Sequence, residues 1–522
     1  MMTHMIRTIS ALCVLSSSWA SPAIPAAVAD KFGAKCLDGS PPTYDVSLNK
    51  TSSQWVLFLE GGGWCYGATV AAATADCAAR GGAQWPPKSG DYDSPAVTAQ
   101  VGSGSADIGG IMSSNPAINP DFYTWNKVFM HYCDGSSFGG GRADPIAVTR
   151  GGAPGDLWLR GRNNFDALVS YFSTTLGMDS ATDIILSGGS AGGLAVFYNL
   201  DHFATLLPPS VRLVGFPDAG FFMDVKGETS GKYDYRANFQ GADPVWNVTG
   251  SGGTNLKCLA ANAGEKWKCL MAQYIAPHVE TPMFVMNSDY DAWQMEHVLG
   301  AQCIPTPTSA CTGDQNASLR SFRDQFAAAI TAGVIDGKPK NGVFLDSCYV
   351  HEQNVDYCSN QGMPNCVGWS PLSPGSKKWG YTTAVSGRTP QQAFGAWWKG
   401  ETVVAIDDHK FWDNPTCVYL GHTPQPIPGA ACKPSGGCCD FSGIWYNFPT
   451  PSVQLHNFTQ SNCSVTFPWS HCHGSMGNAS GDTLAVTCPG FYGGKLKGIL
   501  EPAKPYDLIK WSNGAAWYRA SA

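Results

Sequence analysis

The segment Thr182-Asp-Ile-Ile-Leu-Ser-Gly-Gly-Ser-Ala-Gly-Gly-Leu-Ala195 sets a serine where it can act as a nucleophile. Ile184, Ile185 and Leu186 read as a short apolar strand. Val196, Leu200, Phe203 and Leu207 recur at i, i+4, i+7 and i+11, as on one helical face. Between them Gly188 and Gly192 permit a sharp turn with Ser190 at its tip. The helix that follows directs its N-terminus at any oxyanion formed nearby. The pattern Gly-x-Ser-x-Gly alone is weak, because in a chain with 60 glycines a chance match is about an even bet. It occurs a second time, as Gly135-Ser-Ser-Phe-Gly139, but Ser137 runs into Gly139-Gly-Gly-Arg142, which is loop sequence. Ser190 is therefore the expected nucleophile.

A serine nucleophile needs a base, a group to orient the base, and donors for the oxyanion. Leu57-Phe-Leu-Glu-Gly-Gly-Gly-Trp-Cys-Tyr66 ends a strand in a triple glycine that can present bare backbone N–H groups. Gly63 and Trp64 are the expected donors, with Ala191 completing the set. Met283-Phe-Val-Met-Asn-Ser-Asp-Tyr-Asp-Ala-Trp-Gln294 ends a second strand in two carboxylates, Asp289 and Asp291. Either could hold a histidine in the required tautomer, and either could instead form a turn or cap a helix. Val343-Phe-Leu-Asp-Ser-Cys-Tyr-Val-His351 supplies the candidate base just beyond another strand. Sites in open α/β sheets form beyond the carboxyl ends of strands. The chain order Ser190, acid, His351 is that of α/β-hydrolases.

The elements that must position these groups follow from the alternation of apolar runs with longer helical or loop stretches. Trp55–Leu59, Lys127–Tyr132, Asp183–Leu186, Met283–Met286 and Val343–Leu345 read as strands. The pattern from about 31 to 420 predicts an α/β-hydrolase-like fold, a mostly parallel sheet flanked by helices. Residues 421–439 form a linker rich in Pro, Gly and Cys. Beyond it, residues 440–522 read as a small all-β module of unknown role. Its strands are expected at Phe441–Phe448, Ser452–Phe458, Cys463–Phe467, Thr483–Thr487 and Asp507–Trp511, and Asn513-Gly514 is a hairpin turn before Ala516–Arg519.

A formal charge of −7 leaves no basic patch for nucleic acid. Residues 1–20 combine an early basic residue, a short apolar run and small residues before a cut, so they read as a secretory signal peptide. That run is too short to span a membrane, so no membrane association is expected once it is removed. Of the 19 cysteines, Cys13 lies in that segment, which leaves 18 and up to nine disulfides. The sequons at Asn49, Asn247, Asn316, Asn457, Asn462 and Asn478 agree with secretion. Cys472, between His471 and His473, is read as a disulfide cysteine and not as part of a metal site.

The matching strings resemble the pectin acetylesterase and Notum family of serine carboxylesterases, and the plant pectin acetylesterases most. They are Cys36-Leu-Asp-Gly-Ser-Pro-Pro42, Leu59-Glu-Gly-Gly-Gly-Trp-Cys65, Asn119-Pro-Asp-Phe-Tyr123, Tyr132-Cys-Asp-Gly135, Ser190-Ala-Gly-Gly193, Asp218-Ala-Gly-Phe-Phe222, Tyr290-Asp-Ala-Trp-Gln294 and Asp346-Ser-Cys-Tyr349. The resemblance implies a Ser–Asp–His triad, with the acid at Asp291 and the base at His351. It also implies a pair of departures, because Gly189 and Gly215 stand where the plant enzymes carry cysteines, which suggests one lost disulfide. Glu352 likewise stands where a cysteine often follows the histidine. The expected protein is a secreted, monomeric esterase that takes an acyl group, above all acetyl, from a polysaccharide such as pectin. It needs no metal or organic cofactor. The alternatives are a Notum-like deacylase of a lipidated protein, separable by the acyl length it accepts, and a non-catalytic glycan-binding protein, which would leave a full triad unexplained.

Overall fold

The computed structural model describes residues 22–81, 106–116, 118–150, 153–304, 311–355, 385–408 and 417 and, from residue 443 onward, strands alone. The signal segment, the 421–439 linker and the Cys472 reading lie outside the described residues. Among the described residues, ten strands precede residue 421: β1 Tyr44–Ser47, β2 Gln54–Leu59, β3 Asn126–Met130, β4 Ile146–Arg150, β5 Ala153–Leu157, β6 Asp183–Gly189, β7 Arg212–Asp218, β8 Phe284–Ser288, β9 Gly342–Asp346 and β10 Val404–Ile406. Eight of them form one sheet in the order β1-β3-β2-β6-β7-β8-β9-β10. Only β1 runs antiparallel to its neighbour. β4 and β5 make a separate hairpin.

Burial on both faces explains the near-continuous apolar runs of the central strands. Trp55, Leu57 and Leu59 of β2 and Ile184 and Leu186 of β6 join one core. Val56, Phe58 and Ile185 point the other way, into a second core with Phe216, Phe284, Phe344 and Phe394. The helix after Ser190, Ala191–Leu206, lies in the first core and is buried from Ala191 through Leu200. It is therefore a central helix and not the one-faced helix its spacing suggests. Described structure starts ahead of residue 31, with an isolated bridge between Ala23 and Thr43 and the helix Ala26–Phe32.

β7 had no counterpart among the expected strands, and Pro217 within it is the reason. In a central strand a proline removes a ladder donor. Gly215 N–H donates to Pro282 and Ala219 N–H donates to Met286, both on the β8 side. Pro217 falls midway between these donors, so the β7–β8 ladder tolerates it as a gap.

The chain goes from β2 to β3 on one side and then crosses to β6 on the other. The order thus reverses between β2 and β6, and the crevice beyond their carboxyl ends is a topological switch point. The triple glycine follows β2 there, and Ser190 follows β6.

Five disulfides join described residues: Cys36–Cys133, Cys65–Cys77, Cys258–Cys269, Cys303–Cys311 and Cys348–Cys417. Among the described residues no helix is long and apolar enough to cross a membrane. After the linker come β11 Gly443–Phe448, β12 His456–Ser461, β13 Ser464–Thr466, β14 His473–Met476, β15 Thr483–Thr487, β16 Lys495–Glu501, β17 Asp507–Trp511 and β18 Ala516–Arg519. They pair in chain order, and β18 closes on β11 to make an eight-stranded antiparallel barrel.

Candidate active site

Ser190 sits at the β6-to-helix turn with φ 53° and ψ −121°. A non-glycine residue in that region is strained, and its place at the tip of a turn is the setting of a nucleophile elbow. Its neighbours must be glycines for reasons of space. A Cβ at Gly192 would stand 2.0 Å from the Leu59 carbonyl oxygen, and one at Gly188 would stand 2.4 Å from that of Gly192. Glycine thus lets helix, β2 and β6 meet backbone to backbone. The Ser190 N–H donates to the Asp218 carbonyl at 3.0 Å, which ties the elbow to β7.

His351 and Asp291 meet across 60 residues of sequence: His351 Nδ1 is 2.8 Å from Asp291 Oδ2. Asp291 is itself held at the N-terminus of the helix Ala292–His297, where Oδ1 accepts the Gln294 N–H at 2.9 Å. Asn287 Nδ2 donates to Oδ2 at 3.4 Å. Asp289 faces elsewhere. Its carboxylate takes the Arg323 guanidinium at 3.2 Å, and burial pushes its pKa well up despite that partner. The two acids left open by the strand-end pattern are thus separated by contact, and Asp291 is the one beside His351. Burial works against a charged His351, but Asp291, Glu352 and Asp218 together outweigh it and hold its pKa above the ordinary value.

The loop that carries His351 is pinned by residues with no role in the sequence pattern. Asp218 Oδ2 accepts the backbone N–H groups of Gln353 at 2.5 Å and Asn354 at 2.8 Å. Full burial raises the Asp218 pKa to about 7, with those two bonds opposing the rise. Asn354 Nδ2 donates to Ser187 Oγ on β6 at 3.0 Å. An aspartate ending a strand as apolar as Leu213–Phe216 is the signal that could have marked Asp218.

Glu352, with φ 60°, lies over the elbow. A Cβ at Gly189 would be 2.3 Å from Glu352 Oε1, and a Cβ at Gly61 would be 3.1 Å from the same oxygen and 2.9 Å from Ser190 Cβ. This corrects the reading of the missing cysteines. The β6–β7 register sets Gly189 beside Asp218 and Gly215 beside Leu186. A Cβ at Gly215 would meet Leu200 and Val196. Residues 189 and 215 are therefore no disulfide pair, and position 189 faces position 352 instead.

The glycine loop leaves β2 with Gly63 at φ 69° and Trp64 buried. Glu60, just before it, takes His131 Nδ1 at 3.3 Å and the Tyr132 N–H at 2.8 Å. Asp45 takes His131 Nε2 at 3.3 Å. Burial disfavours a charged His131, yet these two carboxylates raise its pKa to about 9. Behind the loop the Cys65–Cys77 disulfide and the Arg80 bond to the Gly62 carbonyl fix its outer side. Trp64 packs edge-on against Phe222 (4.8 Å between centroids), Phe239 (5.1 Å) and Trp293 (5.6 Å). Phe222 and Trp293 in turn lie 6.3 Å from the His351 ring, so one aromatic wall runs from the glycine loop to the imidazole.

Ser137 is fully buried in a loop and not at any strand-to-helix turn. Among the described residues no cluster of three or more His, Cys, Asp or Glu could hold a metal.

A mostly parallel sheet flanked by helices, with these strand-end residues at its switch point, defines a class, the proteins of α/β-hydrolase-like fold. Within that class the chain belongs to the family described as Pectinacetylesterase, which matches residues 23–418. Pectin acetylesterase 5 of Arabidopsis thaliana is 31% identical over 418 residues, covering 76% of this chain and 84% of that one. A palmitoleoyl-protein carboxylesterase NOTUM of Schmidtea mediterranea is 25% identical over 364 residues, or 66% of this chain and 62% of that one. The solved structure of the Wnt deacylase Notum from Drosophila overlays with a TM-score of 0.58 at 19% identity, covering 77% of this chain and 99% of that one. At that identity it speaks for the fold.

Proposed function

We propose that this chain is a secreted serine esterase that removes acetyl groups from a polysaccharide such as pectin. The observation that carries the reading is the 2.8 Å bond from His351 to Asp291, on a loop whose next residue, Glu352, lies over the strained elbow of Ser190. In the first half-reaction His351 takes the proton of Ser190 as Oγ attacks the ester carbonyl. The N–H groups of Gly63, Trp64 and Ala191 hold the resulting oxyanion, and Asp291 steadies the imidazolium. The imidazolium returns the proton to the departing sugar oxygen, leaving acetyl on Ser190. Water, activated by the same imidazole, then releases acetate. Every group in this cycle belongs to the chain, so it runs without metal or cofactor.

Two features favour acetyl over a long acyl chain. The aromatic cluster beside the proposed oxyanion loop is close-packed around a buried Trp64. The plant relatives are named for acetyl release from pectin. Secretion rests on the N-terminal sequence and agrees with the five disulfides.

The test is turnover of p-nitrophenyl esters from C2 to C16 by the secreted protein and by Ser190→Ala, followed by acetate release from acetylated pectin and xylan. A C2 optimum, lost in Ser190→Ala, is expected. An optimum at C8 or longer would favour a lipid deacylase, and no turnover at any length would favour a glycan-binding protein.

A further inference from the structure

The second Gly-x-Ser-x-Gly motif does no chemistry in the reading above, yet its serine is one of the most constrained side chains near the site. Ser137 is fully buried, with φ 54°, and Phe138 after it has φ 52°. Two successive non-glycine residues in that region persist only where the surroundings over-determine them. Here they do. Asp134 Oδ2 takes the Ser136 N–H at 3.0 Å, and Oδ1 takes that of Phe138 at 3.2 Å. The Ser137 N–H donates to the Tyr132 hydroxyl at 2.9 Å.

The Ser137 hydroxyl held there makes two bonds. Oγ accepts the indole N–H of Trp64 at 2.7 Å. Its own proton goes to the Ala191 carbonyl, also at 2.7 Å. Trp64 and Ala191 are on different elements, the loop after β2 and the first turn of the helix after β6. They are also two of the three residues whose backbone N–H groups would line the oxyanion hole. A single buried hydroxyl therefore spans its two sides.

We propose that Ser137 is a positioning residue that sets the width of the oxyanion hole, an inference that rests on Ser190 as the nucleophile. Oxyanion donors act only when held within about 2.7–3.1 Å of where the charge develops. Without the bridge, the Trp64 ring keeps its apolar packing but loses its one polar tether, and its buried N–H is left without an acceptor. The loop can then shift by tenths of an ångström against the helix. Such a shift weakens binding of the tetrahedral oxyanion more than binding of the flat ester.

The experiment compares Ser137→Ala, Trp64→Phe and the double variant on a small acetyl ester, with a trifluoromethyl ketone as the probe of tetrahedral-adduct binding. Losing a whole oxyanion donor costs about 10²–10³ in kcat. Losing the tether should cost less, a drop of about tenfold to a hundredfold in kcat with KM little changed. The inhibition constant should rise by the factor by which kcat/KM falls. The double variant should be no worse than either single one, because both remove the same link. A lower Tm with kcat and inhibition unchanged would overturn the proposal and leave Ser137 a packing residue. Fully additive losses would also overturn it. If Ser137→Ala does not fold, Trp64→Phe decides alone, by the same split between kcat and KM. Ser190→Ala run in parallel separates the two levels: retained turnover there would mean that the nucleophile reading itself has failed.

Discussion

At the scale of single residues, two aspartates two positions apart have opposite tasks. Asp291 shares its carboxylate between His351 and a helix N-terminus. Asp289 pairs with Arg323 away from the histidine. Asp291→Asn should therefore lose about 10³- to 10⁴-fold in kcat with the fold kept, since an amide there favours the wrong imidazole tautomer. Asp289→Asn should mainly lower Tm, because it leaves Arg323 without its buried partner. Steady-state kinetics and thermal melts of both variants separate the roles, and a larger kcat loss in Asp289→Asn would reverse them. Glu352 allows a second prediction. Its charge is among those that raise the His351 pKa. The reaction needs His351 neutral, so a raised pKa sets the acid limb of the kcat/KM profile at higher pH. Glu352→Gln should move that limb to lower pH, and an unmoved limb would mean that the carboxylate does not couple to the base. Ser190, His351 and the acid pair were legible because each follows an apolar strand end. Glu352 over Gly189 was not, because the contact joins the end of β6 to a loop 163 residues further along the sequence, and no local pattern announces it.

At the scale of elements, the site depends on three backbones meeting without side chains between them. Gly192 is the tightest point, with Leu59 and Glu60 carbonyl oxygens 2.0 and 2.6 Å from where its Cβ would be. Gly192→Ala should cost about 1–3 kcal/mol or more, because the clashing atoms are backbone and cannot rotate away. For a domain of this size that corresponds to a Tm drop of about 1–4 °C, together with loss of turnover. Gly264→Ala is the control, since its Cβ would have nothing within 4 Å. Equal Tm values for the two variants would show that the close approach is not what glycine provides. The strands that carry the site were readable from their apolar runs. β7 was masked by Pro217, and the short edge strands β1 and β10 have too few residues for a period to show. Their identity comes from pairing, with Tyr44 opposite Met130 and Val404 beside Val343.

At the scale of the whole molecule, the question is whether the barrel belongs to the chemistry. Its strands pair only with each other, and closure leaves no free sheet edge in the described register. The pairing sets Trp445, Trp517, Ile509, Leu484 and Val486 on one face, and Thr459, Thr466, Ser475, Thr487 and Lys497 on the other. Cys417, the last cysteine before residue 421, pairs with Cys348. Every residue proposed for catalysis also lies before Gly421, and all five described disulfides would survive a cut near Pro428. A chain ending there should fold, melt within a few degrees of the full chain, and turn over a small acetyl ester with kcat within about twofold, because nothing that binds the acyl group or moves its proton has been removed. Acetate release from the polymer is where the two chains should differ, if the barrel holds glycan. A folded truncation that has lost small-ester turnover would instead make the barrel part of the active site.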